Sequence, residues 1–282
     1  MLRPVILLAL IATTSFAPAR AAESYDSCAG FIDAVPAVIS TQGTWCLRKD
    51  LSTAIAAGAA ITINTNNVTI DCNDFKLGGL AAGLGTATDG IDAEGRTNIT
   101  VRHCNIRGFL YGVFLAGGGG HLVEDNRFDG NTHAGIYVQG SASLVQRNRV
   151  VDTGGSPTFA AVGIYAYEGT HVLDNTIEGV MPVADNRSAF GILVDAVLAR
   201  EIARNRIQNI LATAGGTAYG IRANNAAGRS SIVGNRIANA NTPGFGISCA
   251  STLHKAREND VTGFDGGISG CFNHPSNIVD LD

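Results

Sequence analysis

Four side chains in the middle of the chain are of types that could together catalyse the removal of a proton from a sugar acid. Tyr165 and Tyr167 are candidate bases, Asp195 is a candidate acid–base group and Arg222 is a candidate cation. A β-elimination lyase needs a base near the C5 proton and a cation that neutralises the uronate carboxylate. A hydrolase needs two carboxylates roughly 5–10 Å apart, for which Asp195 and Glu168 are the best pair. These residues are distant in sequence, so a repeating element must bring them together.

A glycine followed by Ile or Val recurs along the chain and supplies such an element. Successive glycines are 21 to 29 residues apart, and this period indicates stacked units rather than one ordinary globular core. An asparagine follows the middle glycines at a spacing of 12 to 15 residues. The glycine pairs are Gly90-Ile91, Gly112-Val113, Gly135-Ile136, Gly163-Ile164, Gly191-Ile192, Gly220-Ile221, Gly246-Ile247 and Gly267-Ile268.

Short segments within the repeat alternate apolar and polar residues, as in Ile61-Thr62-Ile63 and Val68-Thr69-Ile70. This two-residue period predicts β-strands, and no window of comparable length has a helical period. One turn of chain per coil would place equivalent residues about 4.8 Å apart. The recurring asparagines should then stack, with their amides bonded to one another and to backbone. The members of this predicted structural ladder are Asn126, Asn148, Asn175, Asn205 and Asn235.

Alternation along each Gly-Ile strand predicts which side chains face outward. Phe114, Tyr137 and Tyr165 should line up along the stack, and the glycines should face outward beside them as a shallow trough. Exposed aromatic residues beside polar groups are typical of binding sites, and aromatic rings suit the C–H faces of sugars. The candidate substrate-binding residues are Phe114, Tyr137, Gln139, Glu168, Leu193, Asn224 and His133.

The repeats at 123–138 (VEDNRFDGNTHAGIYV) and 233–247 (VGNRIANANTPGFGI) resemble right-handed parallel β-helix repeats of the pectate-lyase-like superfamily, which includes NosD-like domains. The resemblance covers about residues 60–272. It implies an all-β fold, a right-handed parallel β-helix (solenoid) of about eight or nine coils with an N-terminal cap. It does not fix an activity, because the same helix serves lyases, hydrolases, epimerases and non-catalytic proteins.

The first residues have the pattern of a secretory signal. Arg3 is followed by an apolar run from Val5 to Phe16 and by the cleavage site Ala19-Arg20-Ala21. This run is too short to span a bilayer. We therefore predict a signal peptide at 1–21, an N-terminal cap and first coil at 22–60, and the parallel β-helix at 61–282. The mature protein is expected to be an exported monomer, periplasmic or extracellular, without membrane insertion.

Six cysteines in an exported chain favour disulfide bonds. Six cysteines allow 15 connectivities, and their positions in the repeat favour Cys28–Cys46, Cys72–Cys104 and Cys249–Cys271. A metal site is the rival interpretation, but there is no CxxC motif, and the histidines occupy different positions in their repeats. We therefore predict no metal and no cofactor. A lyase could use Ca²⁺, but no motif supports a calcium site.

The charge of the chain limits its partners. The net charge is −4, and it becomes −6 when Arg3 and Arg20 are removed. A mildly acidic protein without clusters of Lys and Arg lacks the electrostatic pattern of a nucleic-acid-binding protein. An acidic polymer could bind only through a local basic site. The predicted partner is a polysaccharide or oligosaccharide.

These observations favour a protein that acts on a uronate-containing glycan by β-elimination or epimerisation. The enzyme assignment stays open, because the sequence lacks the Gly-His-Gly and Arg-Ile-Lys of polygalacturonases, the Asp-Pro-His of alginate epimerases and the Arg-x-Pro-x-x-Arg of pectate lyases. Asp89-Gly90-Ile91-Asp92 only faintly resembles the polygalacturonase element Asn-Thr-Asp-Gly.

Two other hypotheses use the same outward face. In the first, the chain is a non-catalytic envelope or surface protein that binds a glycan or a protein partner there. In the second, the role is structural, and the aromatic row is covered by three long loops predicted at 149–162, 176–190 and 206–219.

Overall fold

The computed structural model describes residues 25–195 and 200–281, and its regular structure is almost entirely β-strand. The one helical element in these two ranges is a 3-10 turn at Leu80–Ala82. The first strands in chain order are β1 (Gly30–Phe31), β2 (Ala37–Ile39), β3 (Gly43–Cys46), β4 (Leu51–Ser52), β5 (Ala57–Ile63), β6 (Val68–Asp71), β7 (Lys76–Gly78), β8 (Ala87–Glu94), β9 (Ile99–Arg102), β10 (Asn105–Arg107), β11 (Tyr111–Ala116), β12 (Leu122–Glu124), β13 (Arg127–Asp129) and β14 (Ala134–Gln139). The remaining strands are β15 (Leu144–Gln146), β16 (Arg149–Thr153), β17 (Ala161–Tyr167), β18 (His171–Leu173), β19 (Thr176–Val180), β20 (Ala189–Asp195), β21 (Arg200–Ala203), β22 (Arg206–Ile210), β23 (Ala218–Ala223), β24 (Ser230–Val233), β25 (Arg236–Cys249), β26 (Lys255–Arg257), β27 (Asp260–Ser269), β28 (Phe272–Asn273) and β29 (Ile278–Asp280).

Parallel pairing sorts these strands into three ladders, which form the three faces of one right-handed solenoid. Face A contains β1, β3, β6, β9, β12, β15, β18, β21, β24, β26 and β28. Face B contains β4, β7, β10, β13, β16, β19, β22, the first parts of β25 and β27, and β29. Face C contains β2, β5, β8, β11, β14, β17, β20, β23 and the last parts of β25 and β27. The stack has about nine turns, which confirms the predicted all-β parallel solenoid and its size.

The core is a column of apolar side chains that repeat from coil to coil. From Gly90 to Gly220, the residue after each glycine of the repeat points inward and is fully buried, as is the residue two positions later. Equivalent side chains of neighbouring coils therefore pack directly on one another, which fills the interior without helices. The first inward column on face C consists of Ile91, Val113, Ile136, Ile164, Ile192, Ile221 and Ile247.

The predicted asparagine ladder is present at the turn between faces A and B. The Asn148 side-chain amide donates to Asn175 Oδ1 at 3.1 Å and to the Val123 carbonyl at 2.8 Å, and Asn175 repeats this pattern with Asn205. The ladder continues beyond the predicted members to Asn259 and Asn277. The residue before each asparagine from 126 to 259 has a positive φ of 53–62°.

The glycine row does not face outward, and this corrects the predicted trough. Ala134, Gly135 and Ile136 are all buried, so the two-residue alternation begins only at Ile136. A Cβ on Gly163 would lie 2.6 Å from the Gly191 carbonyl oxygen and 2.7 Å from Ile177 Cγ2. The glycine is required because this part of β17 lies directly against the core and the next coil, where no side chain fits.

The three predicted disulfides are all formed. Cys28–Cys46, Cys72–Cys104 and Cys249–Cys271 have Cα–Cα distances of 5.8, 4.7 and 5.0 Å. Cys72 directly follows β6 and Cys104 lies two residues after the end of β9, so this bond joins equivalent ends of neighbouring strands on face A. The second and third bonds thus fasten neighbouring coils at the two ends of the stack.

The N-terminal segment contributes strands to all three faces. β1 pairs with β3, β2 with β5, and β4 with β7, so residues 30–52 continue the ladders of the solenoid. The division into a cap at 22–60 and a helix from 61 stays a prediction. The predicted signal peptide at 1–21 lies outside the described residues.

The three predicted long loops are shorter than expected, because each begins as a strand of face B. β16, β19 and β22 occupy their first residues, which leaves the segments 154–160, 181–188 and 211–217 as connections to face C. Backbone hydrogen bonds such as Met181 N–H to Thr153 O and Leu211 N–H to Val180 O keep these connections in step with the coils. They lie between faces B and C.

Candidate functional site

Face C carries the predicted aromatic row. Phe114, Tyr137 and Tyr165 occupy equivalent positions on β11, β14 and β17. The rings of Phe114 and Tyr137 stack with centroids 4.7 Å apart, and Tyr137 and Tyr165 meet edge to face at 5.1 Å. All three side chains are half-buried, so the connecting loops do not cover the row. This outcome argues against the purely structural hypothesis.

A second aromatic column, which the sequence did not reveal, lies on the same face. It occupies the position directly before the glycine, where Phe190, Tyr219 and Phe245 follow one another on β20, β23 and β25. The rings stack almost in parallel, with centroids 5.1 and 5.9 Å apart. The signal in the sequence was an aromatic residue before the glycine in three successive repeats.

Tyr111 occupies the same position in an earlier coil, separated from Phe190 by Ala134 and Val162, and it packs against the first row. Its ring lies 4.9 Å from Phe114 and 5.0 Å from His133. His133, predicted as a substrate-binding residue, is only 8% exposed, and its Nδ1–H donates to the Ala160 carbonyl at 2.6 Å. Burial lowers the pKa of His133, which favours the neutral imidazole, and this ring meets Tyr111 edge to face.

The structure brings only part of the predicted catalytic group together. Tyr167 and Asp195 are paired in register on β17 and β20, but Leu193 lies between Tyr165 and Arg222 in their column. Arg222 is therefore two strands from Tyr165, about 9–10 Å along the stack.

Arg222 is also held by other groups. Its guanidinium donates to Ser248 Oγ and to Asn224 Oδ1, and it lies 5.3 Å from the centroid of the Tyr219 ring. These contacts direct the cation towards the second aromatic column rather than towards Tyr165.

The tyrosines of the first row are not poised as bases. Burial, Tyr167 and Asp195 together raise the pKa of Tyr165 to about 12. Burial also raises the pKa of Tyr137. A base that must act near neutral pH needs a pKa close to that pH, so a bound cation would have to lower the pKa of Tyr165 before it could abstract a proton.

A polar network borders the aromatic row. Tyr137 Oη donates to Gln139 Oε1 at 3.2 Å, and Gln139 Nε2 donates to Glu168 Oε1 at 3.3 Å. One coil further, Asn224 Nδ2 donates to Asp195 Oδ2 at 3.5 Å. These long, accessible bonds join predicted site residues that can exchange partners with the hydroxyl groups of a ligand.

The N-terminal end of face C is acidic. Asp89, Asp92 and Glu94 all lie on β8, and the position of Asp92 is paired with that of Phe114. Burial and the neighbouring Asp92 raise the pKa of Asp89 to about 7, and burial and Glu94 raise the pKa of Asp92 to about 6. The Oδ1 atom of Asp89 is buried and has no hydrogen-bond partner among the described residues. The sequence had indicated this segment only as a faint motif.

Metal ligands are not grouped on this face. Within residues 25–195 and 200–281, no cluster of three or more His, Cys, Asp or Glu side chains is arranged to hold a metal ion. The same ranges contain no helix long and apolar enough to span a membrane.

Comparison with known proteins supports the fold. The profile of the family described as right handed beta helix region matches residues 50–195, just over half of the chain. The chain therefore belongs to this family. No curated protein sequence matches it.

Several solved structures align with most of the chain at low similarity. The Dettilon tailspike protein (gp208) is 15% identical with a TM-score of 0.46, and the alignment covers 89% of this chain but only 60% of the tailspike. The A-module of the mannuronan C-5 epimerase AlgE4 of Azotobacter vinelandii is 12% identical with a TM-score of 0.45, covering 86% of this chain and 84% of the module. The alginate lyase of Paenibacillus sp. str. FPU-7 is 11% identical with a TM-score of 0.38, covering 87% and 98%. Similarity at this level says nothing about the activity of this chain.

Proposed function

We propose that this protein recognises an extended polysaccharide along face C. The observation that carries the proposal is the row of half-buried rings of Phe114, Tyr137 and Tyr165 on three consecutive coils. Such rings offer apolar faces at a regular spacing, which suits the C–H faces of successive sugars in a polymer. The amides of Gln139 and Asn224 border the row and supply hydrogen bonds for sugar hydroxyls.

Affinity electrophoresis tests this proposal. The mature protein is run in native gels that contain neutral or acidic polysaccharides, beside Tyr137→Ala and the control Phe272→Ala. Phe272 is 52% exposed on face A, so its loss removes an exposed aromatic ring away from face C. At least one polymer should retard the wild type, and Tyr137→Ala should weaken this retardation about tenfold while the control does not. The proposal would be contradicted if Tyr137→Ala and Phe272→Ala were retarded equally. It would also be contradicted if no polymer retarded the wild type.

A second candidate is β-elimination or epimerisation of a uronate-containing polysaccharide. The observation that favours it is the register of Tyr167 with Asp195 on neighbouring strands, beside Tyr165. In either reaction Tyr165 or Tyr167 abstracts the C5 proton and Arg222 attracts the carboxylate. In elimination the C4–O bond then breaks and a protonated Asp195 gives its proton to the leaving glycosidic oxygen, whereas in epimerisation Asp195 returns a proton to the opposite face of C5.

Ultraviolet absorbance tests the elimination reaction, because elimination leaves a conjugated unsaturated uronate that absorbs. The protein is incubated with uronate polymers, with and without Ca²⁺. A rising signal that is lost in Tyr165→Phe would support elimination. A flat trace on every polymer would reject it, and an NMR assay of the uronate C5 configuration would test epimerisation in the same samples.

The chain is proposed to act outside the cytoplasm, in the periplasm or the medium. Its three disulfides support this location, because such bonds persist in oxidising compartments. Removal of the segment 1–21 and a monomeric state remain part of the proposal.

A further inference from the structure

The aromatic residues of face C form an oblique path rather than a single column. On β11, β14 and β17 the rings stand two positions after the glycine, as Phe114, Tyr137 and Tyr165. On the next three strands of the face the rings stand one position before the glycine. These rings belong to Phe190, Tyr219 and Phe245. Six consecutive coils therefore each present at least one half-buried ring, and the path shifts sideways between Tyr165 and Phe190. Tyr111 and Tyr167 add a second half-buried ring on β11 and β17.

The dimensions of this path suit a polymer. Neighbouring strands lie about 4.8 Å apart, so six coils extend over about 24 Å, and a shift of three residues along a strand is about 10 Å. A chain that contacts both columns must therefore run at an angle to the solenoid axis. At one sugar ring for each coil, the path accommodates about six sugars.

The charges around the path are mostly negative. The long strands β25 and β27 belong to face C only in the parts Thr242–Cys249 and Phe264–Ser269. On the described strands of face C, counted in this way, Arg222 is the one basic residue. The acidic residues of the same strands are Asp89, Asp92, Glu94, Asp195 and Asp265. Glu168 directly follows β17, whereas Arg96 and Arg187 lie in connections outside the strands.

The one cation on these strands is not placed to receive an anionic polymer. Arg222 already donates to Ser248 and Asn224 and lies over Tyr219. A uronate polymer carries a negative charge on every sugar, so it would bring these charges against carboxylates of the same sign. Carboxylate and amide side chains are, in contrast, good hydrogen-bond partners for the hydroxyl groups of a neutral sugar.

We infer that the polysaccharide recognised by face C is uncharged and runs obliquely across both aromatic columns. This inference rests on the proposed polysaccharide-binding function and conflicts with the uronate candidate. It assigns Phe190, Tyr219 and Phe245 as binding residues for the end of the polymer that the first row does not contact.

Calorimetric titration of oligosaccharides tests both the charge and the path. The probes are neutral gluco-, xylo- and manno-oligosaccharides of two to eight sugars, and oligogalacturonates and oligomannuronates of the same lengths. The proteins are the wild type, Tyr137→Ala in the first column, Tyr219→Ala in the second column and Phe272→Ala as control. At least one neutral series should bind, with affinity rising up to about six sugars. Tyr219→Ala should weaken the six-sugar ligand about fivefold to tenfold and leave a three-sugar ligand unchanged.

The outcomes separate the inference from the proposed function. Binding of the uronate series alone, weakened by Tyr137→Ala, would overturn the inference and leave polysaccharide recognition on face C intact. Neutral binding that Tyr219→Ala does not weaken at any length would overturn the oblique path. If no series binds, or if Tyr137→Ala changes nothing, both the proposed function and the inference fail. Circular dichroism of each variant confirms that a loss of binding is not a loss of folding.

Discussion

Asp89 is the residue of face C whose ionisation is most closely coupled to folding. Its pKa is about 7 in the folded protein, because burial and the nearby Asp92 disfavour the charged form, against 3.8 for an ordinary Asp. The folded state therefore binds more protons than the unfolded state between these two values. The protonated carboxyl favours folding below about pH 4, and this contribution is lost as the pH rises through 7.

Replacing this carboxyl should stabilise the protein at alkaline pH. We expect Asp89→Asn to gain about 2–3 kcal/mol relative to the wild type when the pH is raised from 5 to 8, since the amide does not ionise. Urea unfolding of both proteins at the two pH values measures this difference. Asp265→Asn removes an exposed carboxylate from β27, away from β8, and controls for net charge. A wild type and an Asp89→Asn variant with the same pH dependence would contradict the assignment.

The outward row of Phe114, Tyr137 and Tyr165 was predictable, because strict alternation governs the strand after each glycine. The second column was not predicted. It lies one residue before the glycine, where the two-residue alternation has not yet begun. The sequence alone therefore does not say whether that side chain faces inward or outward. The burial of His133 under the segment containing Ala160 depends on a contact across 27 residues. No local pattern in the sequence records such a contact.

At the level of elements, the asparagine ladder fixes the turn between faces A and B. Each amide replaces the hydrogen bonds that the turn backbone cannot make, and the residue before it adopts a left-handed conformation. The ladder was predicted from its spacing alone, because identical residues that recur once per coil must stack in a parallel solenoid. Its continuation to Asn277 was missed because the last coil is short.

Removing one amide from the middle of the ladder should be costly. Asn175→Ala removes the acceptor of the Asn148 N–H and side-chain amide, and also the donor to Asn205. We expect a loss of about 2–4 kcal/mol in the free energy of unfolding, because the remaining polar groups are buried. Asn277→Ala, at the half-buried end of the ladder, should cost less since water can replace its bonds. Equal losses at both positions in urea denaturation would contradict this explanation.

The glycine near the start of β17 on face C should not tolerate a methyl group. In Gly163→Ala the new Cβ would approach the Gly191 carbonyl oxygen to 2.6 Å, whereas a Cβ on Gly85 meets nothing within 4 Å. We expect Gly163→Ala to lose about 1–3 kcal/mol and Gly85→Ala to change by less than about 0.5 kcal/mol. Thermal denaturation of the two variants measures the difference. Similar melting temperatures would show that the position of Gly163 accommodates a methyl group, and this would contradict the structure.

On the scale of the whole molecule, the three faces differ in chemistry although they share one core. Several arginines of face B are paired with acids of the same face, as in Arg127–Asp129, Arg149–Glu178 and Arg236–Asp260. Exposed pairs of this kind contribute little to stability, and they leave little net charge for an anionic polymer. Face C instead combines aromatic rings with unpaired carboxylates, which makes it the face suited to a neutral ligand.

The repeat period and strand patterns predicted stacked β units, and the resemblance to β-helix repeats predicted the parallel solenoid and its number of coils. The positions of the cysteines in the repeat predicted the three disulfides. The function of the surface was harder to predict, because it depends on which columns of different coils become neighbours. The shift of the aromatic path from Tyr165 to Phe190 appears only when the register between β17 and β20 is known. The hydrogen bond from Arg222 to Ser248 likewise depends on the register between β23 and β25.

Hydroxyl-radical footprinting, read by mass spectrometry, tests the central claim that a polysaccharide lies on the aromatic path of face C. The protein is oxidised with and without a polysaccharide that retards it in native gels. We predict that oxidation of Tyr137, Tyr165 and Tyr219 falls by at least about half when the polymer is bound, since stacked sugars exclude solvent from these rings. Oxidation of the exposed Phe272 on face A should not change. Protection confined to another face, or none on face C under saturating polymer, would contradict the claim.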